Sequence, residues 1–345
     1  MLITEFNITP ALKTHERFVI LPYIRYLSSM NRICLLPLCI LLWVMLSSWG
    51  FHAHKLINQM AVFTLPAAVA GFYKHHVDYI TEHAIDADKR CYVDTAESPR
   101  HFIDADRYGQ QPFDTIPIHW SAAIGKFTER RLLASGILPW QINRSYLNLV
   151  DALSSGDLQR ILRHSADIGH YVADAHVPLH TTSNYNGQQT NQVGIHAFWE
   201  SRLPELFSGS YDFMVGRARY VNSPLEEAWR IVKESYALVD DVLGIEAELN
   251  EAYPADRKYG YVERNRVLTR SYSDEYSLAY HEALAGMVER RMRGAILSIG
   301  NFWYSAWIDA GQPNLQKLTF GNDAATDTLP MPADGQEILG RKEWH

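Results

Sequence analysis

Two histidine–carboxylate pairs in one short part of the chain constrain its fold more than any other feature of the sequence. HYVADAHVPLH, residues 170–180, places Asp174 four residues after His170. GIHAFWE, just downstream, places Glu200 four residues after His196. Side chains four residues apart lie on one face of an α-helix, so each pair can present an imidazole and a carboxylate to a common point. The spacing predicts that both pairs lie on helices.

Helical spacing of apolar residues extends along most of the chain, and strictly alternating runs are scarce. Ser155 is expected to cap a helix that begins near Asp157 and ends before Pro178. Further helices are predicted over residues 225–247 and 277–310, with Gly286 and Gly300 as candidate breaks in the second. The predicted fold class is therefore all-α, in a single large domain of many helices.

The amino-terminal residues have the pattern of an export signal. An apolar run of 14 residues, 33–46, follows Arg32 and precedes two serines. This run is short for a membrane span. Met30 lies just upstream, so residues 1–29 are interpreted as an over-long start that precedes the true one.

Cleavage of the signal is expected between Ser48 and Trp49, although Leu46 is larger than the residue usual at that position. Residues 1–48 would then be the signal region, and residues 49–345 the mature domain, secreted or periplasmic. A membrane-anchored form that keeps the apolar run as a span is the alternative. It would leave Trp49 without a free amino group.

Cysteine content and charge narrow the possible functions. Cys34 and Cys39 belong to the predicted signal, so Cys91 remains alone and no internal disulfide is expected. The formal net charge is −7, which argues against a protein that coats nucleic acid through a basic surface.

The ligand types favour a catalytic metal site. His180, after Pro178, adds a third histidine to the two pairs. Imidazole nitrogen with carboxylate oxygen suits zinc, and a site that leaves a position for water is catalytic rather than structural. Either pair alone could equally be an ion pair on the surface of a helix.

HYVADAHVPLH followed by HAFWE resembles the ligand signature of the zinc-dependent phospholipase C and single-strand-specific nuclease superfamily. Its members are mostly α-helical and hold three zinc ions. Their mature chain begins with a tryptophan whose amino group and carbonyl bind one zinc. WGFHAH offers this feature directly after the predicted signal, and the step from Trp49 to His54 is that of the nuclease branch.

The resemblance implies a set of ligands for three zinc ions. Trp49 and His54 would bind the first ion, and Asp174 would bridge it to the second. The second ion would also take His101, His170 and an aspartate upstream; the third would take His180, His196 and Glu200.

Two aspartates in HAIDADKR compete for the upstream position. Asp86 precedes His101 by 15 residues and Asp88 by 13, and the longer interval matches the resemblance. Asp86 is therefore the predicted ligand, and it could also act as a catalytic base beside Asp174. Residues 86–117, which are rich in Asp, Pro and Gly, are predicted to form a loop.

The resemblance also implies residues that contact substrate. Lys89 falls where nuclease members carry a basic residue that contacts phosphate, with a solvated charge as the alternative. Phe102 and Asp104, in HFID, fall at positions that line the substrate pocket. Phe102 could equally belong to the ordinary core.

The expected function is in-line hydrolysis of a phosphoester by a secreted enzyme with three zinc ions. The partner would be a phospholipid or a nucleic-acid phosphoester, with no stable protein partner and membrane contact only through a lipid substrate. Glu200, the short gap from His180 to His196 and the acidic charge favour a phospholipase C-like enzyme. His54, Lys89 and Phe102 favour a nuclease. A non-catalytic exported zinc-binding protein is the second alternative.

Overall fold

The computed structural model describes residues 51–264 and 267–318, all within the unit Trp49–His345. Trp49 itself and the predicted signal region 1–48 lie outside the described residues. The part that is described is mostly helical, with one small two-stranded sheet. The all-α fold class predicted from the sequence is confirmed.

The α-helices are numbered here in chain order. They are α1 Phe51–Ala61, α2 Ala67–His75, α3 Val77–Glu82, α4 Asp86–Cys91, α5 Pro112–Thr115, α6 Trp120–Phe127, α7 Glu129–Ala134, α8 Leu138–Ser155, α9 Leu158–Ala175, α10 Ile195–Ala197, α11 Leu203–Phe207, α12 Pro224–Tyr236, α13 Val239–Ala252, α14 Asp274–Ala283 and α15 Met287–Asp309. Short 3-10 turns include His83–Ile85, Ser98–Arg100, Ala105–Tyr108 and Pro178–Thr181. A π-helical turn, Phe198–Arg202, joins α10 to α11.

Helix α9 begins at Leu158, next to the predicted Asp157, but the predicted cap, Ser155, was wrong. Ser155 ends the preceding helix, and Gly156 closes it with a left-handed φ of 69°. Such a φ favours glycine because it has no Cβ. Asp157 is the residue that caps α9, since its side chain accepts a hydrogen bond from a backbone N–H in the first turn. The helix ends at Ala175, before Pro178, as predicted.

Two predicted long helices are each two helices in the structure. The segment 225–247 divides into α12 and α13, and the segment 277–310 divides into α14 and α15. The second break falls at Gly286, whose φ is 77°, as the sequence suggested. Gly300, the other suspected break, lies inside α15.

Helix α9 lies at the centre of the core and packs against α1, α8, α12 and α15. Its apolar side chains Ile161 and Ile168 are completely buried. The indole N–H of Trp303, in α15, donates a hydrogen bond of 3.0 Å to the carbonyl of Ser165, and its ring stacks on Tyr73. Trp303 is thus a packing residue, and α9 is held on several sides.

A β-hairpin braces the chain next to the π-helical turn. Strands β1 Tyr259–Arg264 and β2 Val267–Tyr272 pair in antiparallel fashion. The ring of Tyr272 stacks on Phe198, the first residue of the turn, with 3.8 Å between ring centroids. Aromatic stacking of this kind adds to the stabilisation from burial. The hairpin therefore fixes the turn that carries Glu200.

Over the described ranges 51–264 and 267–318, no helix combines the length and the apolar character needed to cross a membrane.

Candidate metal centre

Eight histidine and acidic side chains from separate parts of the chain converge beside α9. None of the eight residues is more than 8% exposed. They form four overlapping groups, and within each group the potential ligand atoms lie within 4.8 Å of one another. The eight are His54 of α1, Asp88 of α4, His101 after the turn Ser98–Arg100, His170 and Asp174 of α9, His180 of the turn Pro178–Thr181, His196 of α10, and Glu200 of the π-helical turn.

The first group contains both α9 residues of the predicted pair. Oδ2 of Asp174 lies 3.0 Å from Nδ1 of His101 and 3.3 Å from Nε2 of His170. The two imidazole nitrogens lie 3.0 Å from each other. The i, i+4 spacing on α9 thus brings imidazole and carboxylate to one point, as predicted.

The hydrogen bonds of His170 fix which of its nitrogens faces this point. Its Nδ1 lies 2.8 Å from the carbonyl oxygen of Ala84, which can only accept, so Nδ1 carries the proton. In the neutral ring, Nε2 then presents a lone pair toward His101 and Asp174. This lone pair faces another imidazole nitrogen and carboxylate oxygens, which are also electron-rich. A proton or a metal ion must therefore lie between Nε2 and these atoms. The residues present therefore fit a divalent metal ion with nitrogen and oxygen ligands.

Asp174 connects this group to another. Its Oδ1 lies 3.4 Å from Nε2 of His54, whereas its Oδ2 faces His101 and His170. One carboxylate therefore offers separate oxygens to two groups of candidate ligands. This is the arrangement of a bridging carboxylate.

The group from the second pair lies next to His54. Nε2 of His196 lies 2.8 Å from Oε2 of Glu200 and 3.1 Å from Nε2 of His180. Oε1 of Glu200 lies 3.0 Å from Nε2 of His54. Glu200, like Asp174, directs its two oxygens toward different groups.

Burial and neighbouring charges act in opposite directions on these acids. Burial raises the pKa of Asp174, but the charges of His170 and His180 and hydrogen bonds from His101 and His170 hold it well below 3.8. Burial likewise raises the pKa of Glu200, but His180, His196 and His54 lower it well below 4.5. Both carboxyls are therefore ionised at neutral pH and available as metal ligands.

The predicted upstream ligand, Asp86, requires a correction. Oδ1 of Asp88 lies 3.3 Å from Nε2 of His170 and 3.7 Å from Nδ1 of His101. Asp86 instead bonds to His83 and Lys89. Because these residues form the helix α4 rather than a loop, residues two apart face different sides. The structure brings Asp88, not Asp86, into the cluster.

The three predicted substrate contacts lie in other surroundings. Lys89 donates a 2.8 Å hydrogen bond to Asp86. Phe102 is completely buried, which places its ring in the core, the alternative left open above. Asp104 is 2% exposed and pairs with Arg107 at 3.2 Å. None of the three belongs to the groups of candidate ligands.

Glu97 is a buried acid that the sequence reasoning missed. It is completely buried, and its Oε1 lies 3.6 Å from Nε2 of His101, the ring nitrogen that faces away from the cluster. The signal was present, because Glu97 and His101 are four residues apart, like the two pairs already described. Trp49, the predicted first ligand, lies outside the described residues.

No family model matches the sequence, and no curated protein matches it either.

Proposed function

We propose that this protein is an exported, zinc-dependent phosphodiesterase of the phospholipase C-like type, with three ions in the cluster. The observation that carries the proposal is the position of Asp174 between two groups of candidate ligands. Multinuclear hydrolases of phosphate esters hold closely spaced ions, and a carboxylate that offers one oxygen to each group is suited to hold two of them.

Each residue has a definite part in this proposal. His101, His170 and Asp88 would hold one ion, with Asp174 shared between it and a second near His54. His180, His196 and Glu200 would hold the third. Divalent ions bound there would lower the pKa of water toward neutrality and neutralise charge on phosphoryl oxygens.

The chain itself orients the candidate ligands and excludes bulk water from them. The carbonyl of Ala84 holds the ring of His170, and the carbonyl of His101 holds that of His180. The buried carboxylates Asp174 and Glu200 remain ionised without bulk solvent around them. Such preorganised groups need little rearrangement during a reaction.

Three observations favour a phospholipid over a nucleic-acid substrate. Lys89 is paired with Asp86, and the ring of Phe102 is completely buried, so neither supports the nuclease-type contact that the resemblance implies. The acidic net charge of −7 also makes attraction of a polyanion less favourable. His54 remains the feature that favours a nuclease.

The test uses the mature chain loaded with zinc. Hydrolysis of a phosphatidylcholine analogue and of single-stranded DNA is measured on the same preparation, with Asp174→Asn as the inactive control. We expect turnover of the lipid analogue and its loss in the variant.

Three results would overturn parts of the proposal. Turnover of DNA alone would replace the phospholipase assignment with a nuclease. Binding of zinc without turnover of either substrate would leave a non-catalytic zinc-binding protein. Unchanged turnover in Asp174→Asn would remove the catalytic role of the cluster.

A further inference from the structure

Glu97 lies at the centre of a buried charge network directly behind His101. Its carboxylate accepts hydrogen bonds from Arg90, Arg100 and the hydroxyl of Tyr171. Arg90 also donates to Asp167 at 2.8 Å. Two guanidinium groups therefore face two carboxylates, and the network is close to neutral within itself.

The position of Glu97 relative to His101 is specific. Nδ1 of His101 faces Asp174, His170 and Asp88, while Nε2 faces Oε1 of Glu97 at 3.6 Å. The imidazole thus lies between the candidate metal cluster on one side and an acid on the other. Histidines that bind metals commonly direct their second ring nitrogen to a carboxylate, which fixes the tautomer and increases the basicity of the ring.

We propose that Glu97 is a positioning residue for the metal centre: it holds the proton of His101 on Nε2, so that Nδ1 presents its lone pair to the ion. This inference rests on the proposed metal-dependent function. It concerns the affinity of the site for metal, and this affinity is measured without substrate.

The surroundings of Glu97 suit a charged acceptor. Two guanidinium groups, of Arg90 and Arg100, donate hydrogen bonds to its carboxylate, as does the hydroxyl of Tyr171. A carboxylate held by two cations can accept the proton of a neighbouring imidazole N–H. The thiol of Cys91 also lies 3.4 Å from Nε2 of His101, but sulfur is a weak acceptor, so the carboxylate is the stronger partner.

A purely structural role for Glu97 is the competing explanation, because a buried acid that pairs with two arginines also stabilises the chain around it. The protein contains a matched control. Glu246 is equally buried and pairs with Lys258 at 2.9 Å and with the hydroxyl of Tyr276 at 2.8 Å. It belongs to none of the groups of candidate ligands.

The experiment compares Glu97→Gln with Glu246→Gln in the full mature chain. Metal is removed with EDTA, and binding of Zn²⁺ is measured by competition with a chromophoric chelator. The absorption spectrum of Co²⁺ bound to each variant reports the ligand geometry, and circular dichroism with thermal unfolding reports folding. Cys91→Ala tests the thiol in the same way.

We expect Glu97→Gln to weaken the binding of one ion by about 10-fold to 100-fold and to change the Co²⁺ spectrum. Glu246→Gln and Cys91→Ala should bind Zn²⁺ as the wild type does, within about twofold, because they leave this acceptor in place. Wild-type affinity in a folded Glu97→Gln protein would overturn the inference. An equal loss in Glu246→Gln would do the same.

A second variant covers the case in which Glu97→Gln does not fold. Tyr171→Phe removes one hydrogen bond to Glu97 and changes no charge, and we expect a smaller loss of affinity in the same direction. Unchanged affinity and an unchanged Co²⁺ spectrum in that variant would then count against the inference. Normal metal binding without hydrolysis, in contrast, would contradict only the proposed function.

Discussion

The Nδ1 atom of His180 lies 2.6 Å from the carbonyl oxygen of His101, whose own side chain belongs to a different group of candidate ligands. The backbone N–H of Ile103 returns a hydrogen bond of 2.9 Å to the carbonyl of His180. The two groups are therefore connected through the main chain. Displacement of the segment 101–103 would disturb both of them together.

Exchange of Asp88 for asparagine should reduce metal binding and turnover far more than the same change at Asp86. Asp88 faces His170 and His101, whereas Asp86 is engaged with Lys89 and His83. Loss of a charged ligand should lower turnover at least about 100-fold, and Asp86→Asn should cost less than about tenfold. Steady-state hydrolysis and metal analysis of both purified variants measure this. The reverse ranking would restore Asp86 as the ligand.

Counting of bound ions should distinguish a shared ligand from an unshared one. Asp174→Asn alters a carboxylate whose two oxygens face different groups, so we expect it to lose two ions per chain. His196→Ala alters a residue found in a single group, and we expect it to lose one. Native mass spectrometry or plasma emission on desalted protein gives the numbers. Loss of the same number of ions from both variants would argue against the bridge.

Removal of metal should make the stability of the protein depend on pH above about 6.5. Burial lowers the pKa of His170, but the charges of Asp174 and Asp88 raise it well above 6.5. A histidine whose pKa is higher in the folded state than in the unfolded state stabilises the metal-free fold. This stabilisation is complete below the pKa of the unfolded state, and it disappears as pH rises through the pKa of the folded state. Each unit of pKa difference corresponds to about 1.4 kcal/mol.

The measurement is thermal unfolding of EDTA-treated and zinc-loaded protein between pH 6 and pH 9, a range of about three units around neutrality. The Tm of the metal-free protein should fall with rising pH. The zinc-loaded protein should not follow it, because the ion replaces the proton on the ring. Parallel curves for the two forms would contradict this prediction.

Substitution of Gly169 by alanine should disturb the contact between α9 and α1. A Cβ at this position would lie 2.3 Å from Oδ1 and 2.8 Å from Cγ of Asn58, which is completely buried. Overpacking of this kind costs about 1–3 kcal/mol of the free energy of unfolding. Because Asn58 is on the helix that carries His54, we also expect weaker metal binding.

Gly71→Ala is the matched control for this change. Gly71 lies inside α2, and a Cβ there would meet nothing within 4 Å. Replacement of a helical glycine with alanine should raise the free energy of unfolding by about 0.5–1 kcal/mol. Chemical denaturation of both variants compares them, and a stable Gly169→Ala protein with normal metal content would refute the prediction.

Local spacing was sufficient to predict the part of the site that lies on α9. His170 and Asp174 meet because the rise and turn of α9 bring residues four apart together, and this property depends only on the chain near them. The all-α class followed from the same periodicity. The break before α15 could be predicted because glycine tolerates the left-handed conformation seen at Gly286.

The choice between Asp86 and Asp88 could not be made in this way. It depends on the direction of α4 relative to α9. Long-range packing determines this direction, and the number of residues between two positions carries no information about it. The burial of Phe102 is similar, since it reflects contacts with residues such as Gly136, 34 positions away along the chain. Glu97 lies four residues before His101, but the same spacing fits an ion pair on the surface of a helix, so it does not by itself indicate a buried acid.

The π-helical turn Phe198–Arg202 limits how this protein can be engineered. A redesign that regularised it to an ideal α-helix would delete a residue and rotate everything downstream by about 100°. Arg202, the last residue of the turn, would lose its partner Asp274 on α14. Thermostabilising designs should therefore leave this irregular stretch untouched and seek their gains on distant, solvent-facing helices.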